Sequence, residues 1–340
     1  MIVVMAAHAT EGQIKDVEQR ILDWGYDVHP IYGAERTVIG AVGVPDADKN
    51  QYMEALEAYD YVERVMAVLR PYKFASRELH PEGTVIDVKG VLIGGNQITL
   101  MAGPCTVETY EQTRESAIAC KAAGANILRG GAYKPSTSPY SFQGLGLEGL
   151  KILRAIADEL DMRVITEVMD TRMVDTVCEY ADILQIGTRN MQNYDLLREV
   201  GKVKTAVMVK RGMWAKIEEW LQAAEYVLLG GNPNVMLCER GIRTFETYTR
   251  NTLDLSAVPA AKELSHLPVI VDPSQGTGKR SLVQAMTKAA VAVGADGLLI
   301  EVHPHPEAAL KDAAQQVTTT DFGRMVEELK PIARAVGRTL

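Results

Sequence analysis

Residues 128–144 read LRGGAYKPSTSPYSFQG, and their first residue, Leu128, is the last of a short apolar run at residues 125–128. The run ends at Arg129, two glycines come next, and Lys134 stands in a loop that is rich in hydroxyl groups and prolines. Glycines let the backbone approach a ligand closely, and arginine and lysine bind anionic oxygens. The pattern predicts a buried strand whose carboxyl end carries an anion site. The alternative is a solvated connection, but ordinary connections are seldom this long.

The chain after residue 97 repeats this arrangement of apolar strand, polar residue, glycine-containing loop and amphipathic helix. We predict strands at residues 98–102, 126–128, 163–166, 183–186, 206–209, 235–237, 269–271 and 297–300. We predict helices at residues 110–123, 147–159, 172–180, 194–200, 216–228, 260–263, 282–293 and 322–336. Eight such units over roughly 250 residues are typical of a TIM (β/α)8 barrel, whose strands are buried on both sides.

The first 70 residues have a different pattern. We predict strands at residues 2–5, 28–32, 37–42 and 62–69, a helix that Thr10 caps and a second helix at residues 51–59. The first helix has four apolar residues on one face: Ile14, Val17, Ile21 and Leu22. The order βαββαβ is that of the ferredoxin-like unit, a module that binds amino acids, pairs with its copy or is purely structural.

These patterns divide the chain into three parts. We predict a ferredoxin-like domain at residues 1–70, a linker at residues 71–83 and the α/β barrel at residues 84–340. The linker carries charge, prolines and a glycine without a helical period. A hairpin at residues 84–93, with its turn at Lys89 and Gly90, is expected to close the floor of the barrel.

The composition excludes several classes of protein. Of 340 residues, 47% are hydrophobic and 24% charged, and the formal net charge is −8, which argues against binding to nucleic acid. The sequence has neither a signal peptide pattern nor an apolar run of membrane-spanning length, so we expect no membrane partner. The cysteines show no spacing of a metal finger or disulfide framework, which favours a reducing compartment, and we expect a cytoplasmic protein.

Polar or charged side chains follow almost every predicted barrel strand. They are Cys105, Arg129, Lys134, Glu167, Gln185, Arg189, Lys210, Glu239, Arg240, Asp272, Gln275 and Glu301. Because the carboxyl ends of barrel strands meet at one face, we expect these side chains to form one site. The cations, with Arg243 just beyond them, suit a phosphorylated carboxylate, whereas any single one could instead pair with Glu167 or Glu239.

A second set of side chains suggests a metal site. Cys105 follows the first barrel strand, Glu301 closes the last strand, and Asp312 lies in the polar segment after it. Since the first and last strands of a barrel are neighbours, a thiolate and two carboxylates can converge on a divalent transition metal. His303 and His305 are alternative ligands, but the prolines beside them predict a surface turn.

Seven stretches resemble the 3-deoxy-D-arabino-heptulosonate 7-phosphate (DAHP) synthases. They are AGPC at 102–105, LRGGAYKP at 128–135, TSPYSFQG at 137–144, QIGTRN at 185–190, KRG at 210–212, CERGIRT at 238–244 and VDPS at 271–274. The likeness covers nearly the whole chain and points to the type I beta subgroup with an ACT-type regulatory domain. It implies a transferase that condenses phosphoenolpyruvate with erythrose 4-phosphate and releases phosphate, the first step of the shikimate route to aromatic amino acids.

The resemblance assigns roles position by position. The phosphoenolpyruvate ligands would be Arg129, Lys134, Arg189, Lys210 and Arg240. Lys134 would lie near the reacting carbons, and Thr137 would help to hold the sugar phosphate. Three of the family's four metal ligands are present, as Cys105, Glu301 and Asp312, and the implied cofactor is a divalent ion such as manganese, iron or zinc. Lys134, Asp312 and Cys105 are the implied catalytic set.

Two positions depart from the family. Gln275 stands where the fourth metal ligand is a histidine, so it is the expected fourth ligand, although its carbonyl is a poorer ligand than imidazole for these metals. Ser136 stands where the family has an arginine that binds the phosphate of the aldehyde, which removes a pair worth about 1.5–3 kcal/mol. Three interpretations remain open: a DAHP synthase with compensated substitutions, a related enzyme that joins phosphoenolpyruvate to a different aldehyde, such as an unphosphorylated one, or a catalytically silent regulatory homologue.

Regulation is implied as well. The first domain, with the sequence GAERT at residues 33–37, resembles the family domain that binds an aromatic amino acid between subunits. The resemblance therefore implies an aromatic amino acid effector and a homotetramer.

Overall fold

The chain divides into two units, Met1–Leu79 and His80–Leu340. The computed structural model describes residues 1–33, 36–44, 49–66, 71–136 and 138–340. Thr137, part of the GAERT stretch and the end of the predicted strand at residues 62–69 therefore lie outside the described residues. None of the described helices is both long and apolar enough to cross a membrane.

The first unit is a four-stranded antiparallel sheet with two helices. Its elements in chain order are β1 Ile2–Met5, α1 Glu11–Asp23, β2 Asp27–Tyr32, β3 Thr37–Val42, α2 Lys49–Glu57 and β4 Val62–Met66. The strands are ordered β2-β3-β1-β4, and every neighbouring pair is antiparallel. This order confirms the predicted ferredoxin-like fold.

Helix α1 begins at the predicted cap. The Thr10 hydroxyl accepts a hydrogen bond from the backbone N–H of Gln13, whose side-chain oxygen accepts from the N–H of Thr10, so the two residues form a capping box. Ile14, Val17 and Ile21 are buried as predicted. The prediction for Leu22 is wrong: it is 49% exposed, because consecutive helical residues are about 100° apart and Ile21 already occupies the buried face.

The second unit is a closed barrel of parallel strands. Its hairpin is β5 Ile86–Val88 and β6 Val91–Ile93. The barrel strands are β7 Thr99–Gly103, β8 Ile127–Arg129, β9 Arg163–Val168, β10 Ile183–Ile186, β11 Ala206–Lys210, β12 Val235–Glu239, β13 Val269–Val271 and β14 Gly297–His303. Consecutive strands pair in parallel and β14 pairs with β7, which closes the barrel and confirms the predicted architecture. A short strand, β15 Val317–Thr318, pairs in parallel with the carboxyl end of β14.

Helices surround the barrel. They are α3 Tyr110–Ala122, α4 Leu147–Glu159, α5 Val174–Tyr180, α6 Tyr194–Gly201, α7 Ile217–Leu229, α8 Ala257–Leu264, α9 Pro273–Thr277, α10 Arg280–Ala292 and α11 Thr319–Ala335. The sequence did not predict α9, which is a single short turn of helix. Asp272 caps α9 by accepting from the backbone N–H of Gln275 at 2.8 Å, and a proline occupies its first position.

The barrel interior is apolar at its amino-terminal end. Ile86, Val88 and Ile93 of the hairpin belong to one buried cluster with side chains of the strands, among them Met101 and Met208. The hairpin therefore closes the floor as predicted. The polar site is left to the opposite end, where the strands finish.

Candidate active site

A cavity of about 320 Å³ lies at the carboxyl ends of the barrel strands. Its charged lining residues are Arg129, Lys134, Glu167, Arg189, Lys210, Arg240, Arg250, Lys311 and Asp312. All five cations that the family resemblance assigns to phosphoenolpyruvate are among them. Cations outnumber carboxylates in this lining, so the cavity suits a small ligand with several negative charges.

The loop after β8 is fixed by close backbone contacts. The N–H of Gly131 donates to the carbonyl of Cys105 at 3.1 Å, and the carbonyl of Gly131 accepts from Val107 at 3.1 Å. A Cβ atom at Gly131 would lie 2.9 Å from the carbonyl oxygen of Cys105, so this approach requires glycine. The loop places the Lys134 ammonium 2.8 Å from the Cys105 sulfur and 3.5 Å from an Asp312 oxygen.

Two of the deep cations are held by carboxylates. The Arg129 guanidinium donates to the carbonyl of Pro104 at 2.8 Å and lies 3.2 Å from Glu301. The Lys210 ammonium lies 2.5 Å from Asp272. These pairs fix the position of each cation before a ligand arrives.

Arg240 is held differently. Its Nη2 donates to Oε1 of Gln275 at 3.0 Å, while Nε and Nη1 are buried without a hydrogen-bond partner among the described residues. Burial lowers the pKa of Arg240, and Asp272 partly opposes this shift. Buried donors without acceptors are unfavourable, so an anion that reached them would gain two hydrogen bonds.

The thiol, the ammonium and the carboxylate beside the loop perturb one another. Burial raises the pKa of the Cys105 thiol, and the nearby Glu301 adds to this effect. Burial would raise the pKa of Asp312 too, but Lys134 and Arg250 outweigh it and lower the value to about 2. Burial would lower the pKa of Lys134, but the negative charges of Cys105, Glu301 and Asp312 in their ionised forms outweigh it and raise the value. Asp312 is therefore anionic and Lys134 cationic at neutral pH.

The predicted metal-site residues come together. Ligand atoms of Cys105, Glu301 and Asp312 lie within 4.8 Å of one another. A thiol with two carboxylates is a donor set that suits a divalent transition metal, so these residues fit such an ion. The Gln275 amide nitrogen lies 3.1 Å from Glu301 and 3.4 Å from Asp312. Asp312 has a φ of 50°, which is uncommon outside glycine and is typical of strained functional positions.

The remaining predicted residues divide into lining and structural ones. Gln185 and Ser136 line the cavity, whereas Asp272 is buried behind Lys210. Glu239 is not part of the lining: it pairs with Arg211 at 2.9 Å and accepts from the N–H of Gly241 at 2.6 Å, so its role is structural.

Arg243 and the two histidines also lie apart from the site. Arg243 lies over the ring of Trp214 at 4.9 Å and lines a neighbouring cavity. The prediction of a surface turn is wrong for His303, which is buried in β14 with Nε2 3.7 Å from Glu108. His305 is exposed as predicted.

Sequence reasoning missed Arg250 and Lys311. Arg250 follows β12 at some distance and donates to Asp312 and Gln315, each at 3.0 Å. Lys311 precedes Asp312 and lines the mouth of the cavity. Both belong to irregular segments without hydrophobic periodicity, although Lys311 is adjacent in sequence to a predicted metal ligand.

The fold and the site together define a barrel enzyme that acts on a small polyanionic substrate. The chain belongs to the DAHP synthetase I family, whose family model matches residues 81–335. The model of the DAHP synthase ferredoxin-like domain matches residues 1–70.

Relatives from two groups of enzymes are similar to this chain. A phospho-2-dehydro-3-deoxyheptonate aldolase of Thermotoga maritima is 49% identical over 99% of both chains. A crystal structure of phospho-2-dehydro-3-deoxyheptonate aldolase (DAHP synthase) from that organism is 48% identical, with a TM-score of 0.79, and the match covers 99% of this chain and 98% of that one. A 2-dehydro-3-deoxyphosphooctonate aldolase of Geobacter sulfurreducens is 31% identical, over 73% of this chain and 97% of its own length.

Proposed function

We propose that the chain catalyses the condensation of phosphoenolpyruvate with erythrose 4-phosphate to DAHP and phosphate. The observation that carries the proposal is the convergence of Arg129, Lys134, Arg189, Lys210 and Arg240 in one cavity. Phosphoenolpyruvate carries a phosphate and a carboxylate, and both are ligands of guanidinium and ammonium groups. The cations remain in place while charge moves through the substrate, which is electrostatic preorganisation.

The chemistry needs an activated aldehyde and a proton. C3 of phosphoenolpyruvate attacks the aldehyde carbon, water adds at C2, and phosphate leaves. We assign to Lys134 the donation of a proton to the oxygen that becomes a hydroxyl group, because its ammonium lies beside Cys105 and Asp312, two of the residues that would hold the ion. Cys105, Glu301 and Asp312 would hold a divalent ion, which supplies Lewis-acid polarisation of the aldehyde oxygen when bound.

Cations at the cavity mouth support a phosphorylated acceptor. Ser136 replaces the family's arginine, but Arg250 and Lys311 line the same cavity. The Lys311 ammonium has no ion-pair partner within the described ranges, and only Nη1 of Arg250 is engaged there. These cations can bind a phosphate without the arginine, so neither an unphosphorylated acceptor nor a silent homologue is favoured.

The comparisons support a four-carbon aldehyde. The relative named for a seven-carbon product is 49% identical over 99% of this chain, whereas the relative named for an eight-carbon product is 31% identical over 73% of it. Phosphoenolpyruvate contributes three carbons to either product, which leaves four for the acceptor here.

The test is a comparison of acceptors. Purified protein receives phosphoenolpyruvate and either erythrose 4-phosphate, arabinose 5-phosphate or unphosphorylated erythrose, and mass spectrometry identifies the product. We expect the seven-carbon phosphate ester from the first mixture to form fastest. Preferential turnover of erythrose would contradict the proposed acceptor, and no product from any mixture would support the silent homologue.

We further propose that residues 1–70 form a regulatory domain and that residues 71–83 link it to the barrel at residues 84–340. We also propose that the protein is a homotetramer and that an aromatic amino acid inhibits it. The match of a separate domain model to residues 1–70 supports this. The free Cys105, Cys120, Cys178 and Cys238 support a cytoplasmic location. Millimolar tyrosine or phenylalanine is expected to lower activity and to change the solution scattering profile. No change in either measurement would reject these two effectors.

A further inference from the structure

Gln275 lies between the anion cavity and the metal-site residues. Asp272 caps the short helix α9 and so fixes the backbone of Gln275, which is 9% exposed. The side-chain oxygen of Gln275 lies 3.0 Å from Nη2 of Arg240. On the opposite side of the amide, the nitrogen lies 3.1 Å from Glu301 and 3.4 Å from Asp312.

The neighbours of the amide determine which way it faces. A guanidinium group has only donors, and carboxylates that are ionised have only acceptors. Arg129 and Arg250 pair with the same two carboxylates, at 3.2 Å from Glu301 and 3.0 Å from Asp312, as expected for ionised groups. If the amide turned over, its NH2 group would face the Arg240 donor and its oxygen would face the carboxylate oxygens. All three hydrogen bonds would be lost in a buried place, where unmet donors are costly.

We propose that Gln275 is a bridge and not a metal ligand. Its oxygen holds Arg240 in place for the anion, and its NH2 group holds Glu301 and Asp312 in place for the ion. Cys105, Glu301 and Asp312 then bind the metal without Gln275. Gln275 thereby links Arg240, on the anion side of the site, to the metal-site residues Glu301 and Asp312. The inference rests on the proposed function for the identity of the anion.

The bridge leaves part of Arg240 available. Gln275 engages Nη2, whereas Nε and Nη1 are buried without partners in the described part of the chain. Gln275 is thus a positioning residue for Arg240, and its loss leaves a flexible cation where a fixed one stood. We therefore expect its removal to weaken phosphoenolpyruvate binding even when no metal is present.

Cobalt binding tests whether Gln275 is a ligand. Full-length wild type, Gln275→Leu and Gln275→Glu are titrated with Co²⁺, and the thiolate charge-transfer and d–d bands are recorded. Gln284→Leu is the matched control, because Gln284 hydrogen-bonds Glu328 on the outside of the barrel. We expect Gln275→Leu to keep the wild-type bands with an affinity weaker by about 10-fold, because it loses only an outer hydrogen bond.

The second variant keeps the test decisive if Gln275→Leu fails to fold. Glutamate has the same shape but presents a carboxylate oxygen to the ion, so Gln275→Glu is expected to gain a ligand and shift the d–d bands. The reverse pattern would overturn the inference: shifted bands in Gln275→Leu and wild-type bands in Gln275→Glu. Absence of a thiolate band in the wild type would overturn it together with the metal site.

Calorimetric titration with phosphoenolpyruvate in the presence of a chelator tests the other half of the bridge. We expect Gln275→Leu to bind phosphoenolpyruvate about 10-fold more weakly than wild type and Gln284→Leu to bind it equally. Equal affinities of wild type and Gln275→Leu would overturn the positioning role. Failure of the wild type to bind phosphoenolpyruvate would instead reject the proposed substrate, and the cobalt bands would still decide whether Gln275 is a ligand.

Discussion

Cations in the deep part of the active-site cavity, called its floor below, are held differently from those at its mouth. At the floor, Arg129, Lys210 and Arg240 are each about 5% exposed, and each is held by a carboxylate or by the Gln275 amide. At the mouth, Ser136, Arg250 and Lys311 lie on irregular segments, and the side chain of Arg250 is 40% exposed. A buried cation needs a fixed partner, whereas a solvated one does not.

This difference bears on the two positions where the resemblance expects another residue: Ser136 lies at the mouth, whereas Gln275 lies at the floor, where its amide pairs with Arg240 and Glu301. A change at the mouth, such as serine for arginine, removes a charge that water had already solvated. A change at the floor leaves a partner buried and unpaired. A residue at the floor is therefore constrained by stability as well as by function, and Gln275 meets that constraint because its amide supplies both an acceptor and a donor.

The largest effect is expected at the floor. Lys210 and Asp272 lie 2.5 Å apart, with side chains 5% and 1% exposed. Lys210→Met leaves a buried carboxylate without its partner, so we expect the free energy of unfolding to fall by about 3–5 kcal/mol. Urea denaturation followed by circular dichroism measures this change.

Two further variants test whether the stability lost in Lys210→Met comes from the unpaired buried charge. The double variant Lys210→Met with Asp272→Asn removes the unpaired charge and is expected to recover most of the lost stability. Lys202→Met breaks an exposed pair with Glu199 and is expected to cost less than about 1 kcal/mol. If Lys210→Met and Lys202→Met lowered the free energy of unfolding equally, the proposed difference between buried and exposed cations would be wrong.

The second largest effect is expected on kcat, from substitution of Lys134, which lies between the floor and the mouth of the cavity. Lys134 lies 2.8 Å from the Cys105 sulfur and 3.5 Å from an Asp312 oxygen. We expect Lys134→Met to lower kcat by about 10²–10³-fold, because a fixed positive charge is lost at the reacting atoms. Lys151→Met, on the outside of the barrel, is the control for removing an exposed lysine. An unchanged kcat in Lys134→Met would exclude this residue from the reaction.

A smaller effect is expected at the mouth. Lys311→Ala should raise the KM for erythrose 4-phosphate about 10-fold and leave the KM for phosphoenolpyruvate unchanged, because it removes one charged contact to the acceptor phosphate. Initial rates with each substrate varied in turn provide both constants. Arg243→Ala is the control, since Arg243 lies over Trp214 in a neighbouring cavity.

Ser136→Arg also tests whether the acceptor phosphate binds at the mouth, because it adds a positive charge there instead of removing one. Restoring the family's arginine should lower the KM for erythrose 4-phosphate, because a bidentate phosphate contact is regained. If Lys311→Ala and Ser136→Arg both leave this KM unchanged, the acceptor phosphate does not lie at the mouth.

The smallest effect depends on pH. Burial raises the pKa of Glu167, and the surrounding cations only partly oppose it. The folded protein therefore favours the neutral acid, and ionisation costs stability once the pH exceeds the unfolded value of about 4.3. We expect Glu167→Gln to have a higher Tm than wild type at pH 8 and a similar Tm near pH 4. The exposed Glu307→Gln is the control, and a difference in Tm that does not vary with pH would contradict this assignment.

Much of the fold follows from the sequence. Apolar runs that end in a polar residue located the barrel strands, and the convergence of strand ends predicted which side chains meet. At the end of β12, however, Glu239 and Arg240 are adjacent, and neighbouring residues of an extended chain point to opposite sides. Only Arg240 lines the cavity, and Glu239 instead pairs with Arg211.

Features that depend on irregular backbone could not be predicted in the same way. Arg250 and Lys311 follow no hydrophobic period, so nothing in their spacing placed them at the cavity. The direction of the Gln275 amide depends on Arg240, Glu301 and Asp312, which are distant in sequence and meet only in the folded barrel.

The most direct test of the proposed synthase activity is phosphate release from phosphoenolpyruvate and erythrose 4-phosphate, with manganese in one sample and a chelator in the other. We predict release with manganese and none with the chelator. Release that survives the chelator would contradict the role of Cys105, Glu301 and Asp312 as metal ligands. No release in either sample, from protein that still binds phosphoenolpyruvate, would contradict the synthase activity itself.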